Sequence, residues 1–279
     1  MAMKMAVLAS GSSGNSIYLS TDNTAILIDA GLSGKELERR MKSVKLNPED
    51  ISAILVTHEH GDHIKGAGVL SRRYNIPIYA SAGTWKAARK KLGKIGKGYE
   101  RTIEESWQLG DFEITSFPIP HDAAEPVGFV VSDGDVNFGL ATDIGYIADE
   151  LYDHLKDLDC ILLEANHDID LLREGSYPGM LKRRIRGNEG HLSNDETAEL
   201  LPELLKTNEK SSCPVVLLSH LSAENNRPEL AYLTVKNSVC SAGFQIGKDL
   251  ILKCAPRDEA SEIYNIETAE IIKGVTDSA

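Results

Sequence analysis

"ILVTHEHGDHIKG", residues 54–66, sets three imidazoles (His58, His60, His63) and two carboxylates (Glu59, Asp62) in six consecutive positions. Polar groups crowded together at the end of an apolar run are costly to bury unless they are paired or gathered by a cation. The run before them predicts a strand that carries the cluster at its end. His58 and His60, two apart, project from the same side of an extended chain. Asp62 and His63 fall on the turn into a helix, where Asp62 could also act as a cap.

Outward from this stretch the same ending recurs. "TAILID" stops at Asp29, "ISAILVTH" at His58, "ITSFPIPH" at His121, "FGLATD" at Asp143, "CILLE" at Glu164 and "PVVLLSH" at His220. An isolated Asp after a strand reads as a turn or cap, and an isolated His as a hydrogen-bonded core or surface residue. Six such endings predict strands that deliver their last residues to one rim. Imidazoles with carboxylates and no thiolate suit zinc, iron or manganese. They are too many for one tetrahedral ion and enough for two. Two cations roughly 3.5–4 Å apart can share a hydroxide and bind both oxygens of a displacement at phosphorus or an acyl carbon.

Strands are expected in "KMAVLAS", "SIYLST", "AILIDA", "AILVTH", "PIYAS", "FEITSFPI", "VGFVVSDG", "NFGLAT", "CILLEAN", "PVVLLSH", "FQIG" and "LILKC". Helices are expected near 34–43, 64–73, 83–92, 147–156, 195–206 and 228–241, the fifth opened by the capping box "SNDE" (193–196). Strands come consecutively at first and alternate with helices later, which predicts packed sheets with helices outside. With no repeat, low-complexity stretch or linker, residues 1–279 are read as one domain.

The 279 residues are 42% apolar and 26% charged, as in an ordinary globular protein. No run approaches the roughly 18 apolar residues of a membrane span, and "MAMKMAVLAS" is too short for a secretory signal. Cys160, Cys213, Cys240 and Cys254 are widely spaced, three in or beside apolar runs, and are expected to be reduced core or near-core thiols. A cytoplasmic protein follows as the plain expectation. The net charge of −12 argues against coating nucleic acid with the whole surface. The charge is uneven, however: 85–101 and "LKRRIR" (181–186) are strongly basic, and the segment 257–279 is acidic. Each basic run is either a solvated helix face or part of a local groove. Association into oligomers stays open.

"THEHGDH" resembles the His-x-His-x-Asp-His signature of the metallo-β-lactamase fold superfamily, with His121, Asp143 and His220 following in the order of that family. The resemblance implies an α+β fold, a four-layer αββα sandwich. It implies that His58, His60 and His121 hold one ion and Asp62, His63 and His220 the other, with Asp143 bridging and Asp29 orienting the histidine loop. The superfamily handles lactams, thioesters, lactones and phosphodiesters, so its signature names a fold and not a substrate. Zinc β-lactamases of the commonest type carry Cys where Asp143 stands, and flavodiiron relatives replace the second histidine of the motif, here His60. The helical domain that glyoxalase II adds at its C-terminus is not evident.

"LLEANHD" (162–168) and "GHLSNDETAELL" (190–201) resemble motifs of tRNase Z-like enzymes, in which a Glu–His pair, here Glu164 and His191, protonates the leaving oxygen. Otherwise His191 is a loop residue before a capped helix, whose N-terminus can attract phosphate. "LASGSSGNSIYL" (8–19), "PIPHDAAEPVGF" (118–129) and "LSHLSAENNRPELA" (218–231) resemble the bacterial YycJ/WalJ subfamily, small metallo-hydrolases associated with exonuclease activity on DNA. "SGSSGNS" is either a tight polar turn or a loop offering phosphate contacts through Ser12, Ser13 and Asn15. The resemblance implies two divalent ions, Mn2+ or Zn2+, and a 5′-to-3′ DNA exonuclease in which Asp62 also positions the water. The basic stretches 85–101 and 181–186, the latter with Lys182, Arg183, Arg184 and Arg186, would then grip the DNA backbone. The alternatives are a hydrolase of small thioesters, lactones or cyclic phosphodiesters, and a metal-stabilised regulatory partner without catalysis.

Overall fold

The computed structural model describes residues 2–210, 213–268, 270 and 272; the last part of the acidic C-terminal segment lies outside the described residues. Two seven-stranded sheets carry the chain. The first has the order β14-β1-β2-β3-β4-β5-β6, from β1 (Lys4–Ala9), β2 (Ser16–Ser20), β3 (Ala25–Ile28), β4 (Ala53–Leu55), β5 (Ile78–Ala80), β6 (Glu100–Thr102) and β14 (Tyr264–Asn265). The second has the order β13-β12-β11-β10-β9-β8-β7, from β7 (Ser106–Leu109), β8 (Phe112–Pro118), β9 (Val127–Ser132), β10 (Asn137–Ala141), β11 (Cys160–Glu164), β12 (Val215–Ser219) and β13 (Ile251–Cys254).

The strands are apolar on both sides because both sides are covered. Met5 and Val7 of β1 face the other sheet, against Phe112, Phe129, Phe138 and Leu162. Their neighbours Ala6 and Leu8 face the outer helices α1 (Gly34–Ser43), α3 (Ala67–Tyr74) and α4 (Ala82–Leu92). In β11, Cys160 and Leu162 point inward, while Ile161 and Leu163 meet α5 (Asp149–Leu155), α8 (Asn194–Thr207) and α9 (Pro228–Ser241). Period-two alternation between two apolar environments thus builds the four-layer αββα sandwich.

Each sheet makes three antiparallel pairings and then three parallel ones. No repeat in the sequence announces this correspondence. Asp29, His58, Asp143, Glu164 and His220 all sit at or just beyond the C-terminal ends of parallel-paired strands, where α/β sheets gather ligands.

Several expectations need correction. The helix expected at 64–73 is two pieces, α2 (Gly61–Ile64) and α3, broken where the Gly66 amide turns aside to donate to the Ala30 carbonyl (2.8 Å). Asp62 does not cap: His60 is the N-cap of α2, without a side-chain cap bond. "FQIG" forms only an isolated bridge, Ile246 with Leu250. The short strands β6, β7 and β14 and the helices α6 (Ile169–Glu174) and α7 (Gly179–Ile185) were not expected. The capping box at Ser193 is present in full, with Glu196 returning a bond to the Ser193 amide (2.7 Å). All four cysteines are free; Cys160 is buried, but Cys240 is exposed on α9 and is no core thiol.

Candidate metal centre and active site

The motif loop that leaves β4 is clamped by backbone atoms. Asn15 N donates to Asp62 O and Ala30 N to His63 O, both at 2.8 Å. Gly31 N closes the set by donating to Asn15 O (2.8 Å). The approach leaves no space for a side chain at position 31, where a Cβ would stand 1.6 Å from Asp62 O. The Asn15 side chain accepts from Gly11 N (2.8 Å), so "SGSSGNS" is a turn that grips the motif loop. Asp29, Asp143 and His220 adopt φ of 60°, 62° and 55°. Left-handed backbone is uncommon outside glycine, and Asp and His tolerate it better than most residues. Three such residues, each just past a strand, concentrate local strain at this rim.

Carboxylates and a carbonyl set the histidine rings. Asp29 Oδ2 accepts from His63 Nδ1 (2.7 Å) and from Thr57 Oγ1 (2.9 Å), and its Oδ1 from Thr57 N (2.9 Å). His121 Nδ1 donates to Gly190 O (3.1 Å). Glu164 Oε1 accepts from both His191 Nδ1 and His220 Nδ1 at 2.8 Å, while its Oε2 accepts from Ile144 N (2.7 Å) and Leu192 N (3.3 Å). A ring that donates at Nδ1 keeps Nε2 for the centre when neutral. The Glu164 fork onto His220 is a link that sequence reasoning missed.

The remaining nitrogens and oxygens converge. His58, His60 and His121 each offer a ring nitrogen within 4.8 Å of the others. Asp62, His63 and His220 form a second group of this kind, and His58, His63 and Asp143 a third that connects them. Asp143 Oδ2 lies 3.4 Å from His63 Nε2, and its Oδ1 lies 3.7 Å from His121 Nε2 and 3.5 Å from His220 Nδ1. His58 Nε2, Asp143 Oδ2 and His220 Nε2 are buried with no hydrogen-bond partner. Buried orphan donors and acceptors of this kind are rare and costly. Here they are nitrogen and oxygen ligand atoms facing one another, which fits divalent cations.

The electrostatics agree with that fit. Burial opposes charge on His63, yet the Asp143 and Asp29 carboxylates outweigh it and hold the ring up at about 9. His220 is raised in the same way, against burial, by Asp143, Asp62 and Glu164. Burial also opposes charge on Asp62, Asp143 and Glu164, but the surrounding imidazoles hold all three low. Burial and the neighbouring rings keep His58 well below the ordinary imidazole range. The carboxylates therefore demand positive charge, which protons on His63 and His220 supply when no cation does.

Beside the cluster opens a cleft of about 340 Å3. It is lined by His60, Asp62, Asp143, His191 and His220 of the cluster, by Tyr177, Leu181, Arg184 and Ile185, and by Ser12, Asn166 and Ser222. The expected phosphate contacts scatter. Arg184 lines the cleft, paired with Asp122 (Nη2 to Oδ1, 2.8 Å). Lys182 instead donates to Arg173 O and Gly175 O, both 2.7 Å. Arg183 is exposed away from the cleft, and Arg186 opens onto a separate cavity with His167 and Glu199. Ser13 is exposed outside the cleft, whereas Asn15 is buried in the loop clamp. Of the basic run 85–101, Lys91 reaches the motif, donating to Glu59 O (3.0 Å), and Arg89 pairs with Glu100 (3.3 Å). Tyr177, Asn166 and Ser222 were missed. The stretches 162–168 and 218–231 carried a family resemblance without naming Asn166 or Ser222 as site residues; Asn166 Nδ2 donates to His220 O (2.9 Å) and Asn226 Nδ2 to Ala165 O (2.8 Å).

Among the described residues no helix is long and apolar enough to cross a membrane. A family model described as the beta-lactamase superfamily domain matches residues 24–210. The chain is 41% identical over 267 residues to the exodeoxyribonuclease WalJ of Streptococcus pneumoniae, covering 94% of this chain and 98% of that protein. It is 40% identical over 250 residues to the exodeoxyribonuclease YycJ of Bacillus anthracis, covering 89% and 93%. The crystal structure of the metallo-β-lactamase fold protein YhfI from Bacillus subtilis superposes with a TM-score of 0.71 at 17% identity, over 94% of this chain and 99% of that one. With two helix-flanked sheets, a histidine–aspartate cluster on their common rim and these end-to-end matches, the chain belongs to the metallo-β-lactamase superfamily.

Proposed function

We propose that this chain is a metal-dependent exodeoxyribonuclease that degrades DNA from the 5′ end in the cytoplasm, with two divalent cations, manganese or zinc, on the rim. The observation that carries the reading is the near full-length match to exodeoxyribonucleases in a chain whose donor cluster is complete. His58, His60 and His121 would hold one cation and Asp62, His63 and His220 the other, with Asp143 between them. When bound, such a pair makes water a nucleophile near neutral pH and neutralises charge on a phosphoryl group.

The chain's own groups do the rest. Asp62 orients the attacking water from the first turn of α2. His191, anchored through Nδ1 on Glu164, gives its proton to the departing sugar oxygen. Glu164 keeps that ring and His220 in fixed orientation through one shared oxygen. Arg184, and the basic end of α4 near Glu59, steer the backbone of the strand, a contribution that weakens with salt.

The test is hydrolysis of end-labelled single- and double-stranded DNA with manganese or zinc. Wild-type protein should shorten the strands from the 5′ end, and Asp143→Ala should leave them intact. DNA that survives while small thioesters or lactones turn over defeats the nuclease reading in favour of a metabolite hydrolase. Retention of every activity by Asp143→Ala defeats any reading based on the metal centre.

A further inference from the structure

The cleft lining is not uniform in chemistry. One part of the lining is the donor cluster; another comes from α7 and the turn before it. Along α7, Leu181, Arg184 and Ile185 stand at i, i+3 and i+4 and so share the face that lines the cleft. The same periodicity turns Lys182 and Arg183 away. Tyr177, half-buried just before α7, extends the apolar part of this wall.

The wall is built to hold its shape. Lys182 bridges Arg173 O and Gly175 O and ties α7 back to the end of α6. His191 N donates to Ile185 O (2.9 Å), and Arg184 pairs with Asp122 beside His121. Gly190 packs so tightly that a Cβ there would sit 2.1 Å from Ile185 O. On the other side, Asn225 O accepts from Asp168 N (2.9 Å) at the start of α6. These bonds hold the backbone of α7, whose Leu181, Arg184 and Ile185 share the cleft with Tyr177 and the candidate reacting centre.

We infer that Tyr177, with Leu181 and Ile185, is the platform on which the terminal nucleobase rests once it has left its stack, while its phosphate turns toward the donor cluster and Arg184. This rests on the nuclease reading above. A phosphate alone has no use for the Tyr177 wall, and a base has little use for the donor cluster; a nucleotide uses both. At about 340 Å3 the cleft sits at the small end of ligand sites, which run from roughly 300 to 1,000 Å3. A single nucleotide is the natural occupant. Stacking on an aromatic ring tolerates every base, since each has a π-face, so the platform gives affinity without sequence preference.

The experiment compares DNA ends carrying an ordinary nucleotide with ends carrying a tetrahydrofuran abasic unit, placed at either terminus, using wild-type protein, Tyr177→Ala and Tyr177→Phe. Loss of the base should lower kcat/KM of the wild type by about 5- to 150-fold, the usual worth of one base–aromatic stack. Tyr177→Ala should show a similar loss on ordinary ends and almost none further on abasic ends, because the two changes remove the same contact. Tyr177→Phe should keep the wild-type response. Metal content should be equal in all three. Losses that multiply, or a Tyr177→Ala protein as fast as wild type on ordinary ends, overturn the platform while leaving the nuclease reading intact. Wild-type protein that leaves all DNA whole overturns that reading, and the platform with it.

Discussion

In an Asp29→Asn protein the backbone can keep its left-handed turn, since asparagine tolerates φ near 60° as aspartate does. The side-chain oxygen can still accept from Thr57 N, which lies 2.9 Å from Oδ1. The new amide nitrogen then faces His63 Nδ1 and Thr57 Oγ1, where a carboxylate oxygen stood at 2.7 and 2.9 Å. An NH2 group cannot accept, so the neutral His63 ring is driven to carry its proton on Nε2. That nitrogen is the one 3.4 Å from Asp143 Oδ2, and in its protonated form it cannot bind a metal ion. Restoring the useful tautomer forfeits a charge-assisted bond, about 1.5–3 kcal/mol, which is roughly 10- to 150-fold in affinity. Changes to such ring-orienting partners typically cost about 10–100-fold. Competition of metal-stripped protein against a chromophoric chelator measures both ions. The cation proposed for Asp62, His63 and His220 should weaken by this factor, while that for His58, His60 and His121 keeps its affinity. Two unchanged affinities, or two equal losses, refute the tautomer argument.

His191→Ala should slow DNA cleavage by about 10²–10⁴-fold yet cleave thymidine 5′-p-nitrophenyl phosphate nearly as fast as wild type, because nitrophenolate departs without a proton; equal losses on both substrates exclude a proton donor. Gly31→Ala must displace the Asp62 carbonyl and should cost about 1–3 kcal/mol in urea unfolding, as overpacked sites do. An unchanged midpoint would show that the loop clamp is soft. In metal-free protein the folded pKa of His63, about 9, lies above its unfolded value of about 6.5. Its contribution to stability is therefore complete below about pH 6.5 and lost as pH rises through 9. Thermal melts of stripped protein should decline across that window, and loading metal at pH 7.5 should release protons to an indicator dye; flat melts with no release contradict the carboxylate–imidazole balance.

Much of the site was legible because its parts are side chains with distinctive chemistry at strand ends. The motif at 58–63 and the endings at Asp29, His121, Asp143, Glu164 and His220 all lie on the rim where the pattern placed them. What stayed hidden belongs to other kinds of physics. The clamp on the motif loop is made by the amides of Asn15, Ala30 and Gly31, and a main-chain donor leaves no compositional trace. The α6–α7 segment comprises helices of six and seven residues, too short for an amphipathic period to declare itself. Its four bases looked like one patch in the sequence, and only the helical turn sends Arg184 into the cleft and Lys182 to the end of α6. β6 reads Glu-Arg-Thr because an edge strand is only partly covered, so the alternation that revealed the inner strands is absent there.

The donors arrive from both halves of the chain: His58, His60, Asp62 and His63 follow a strand of the first sheet, and His121, Asp143 and His220 follow strands of the second. An ion held among them acts as a rivet through the sandwich. Stripping the ion should loosen one sheet from the other as well as silence the chemistry.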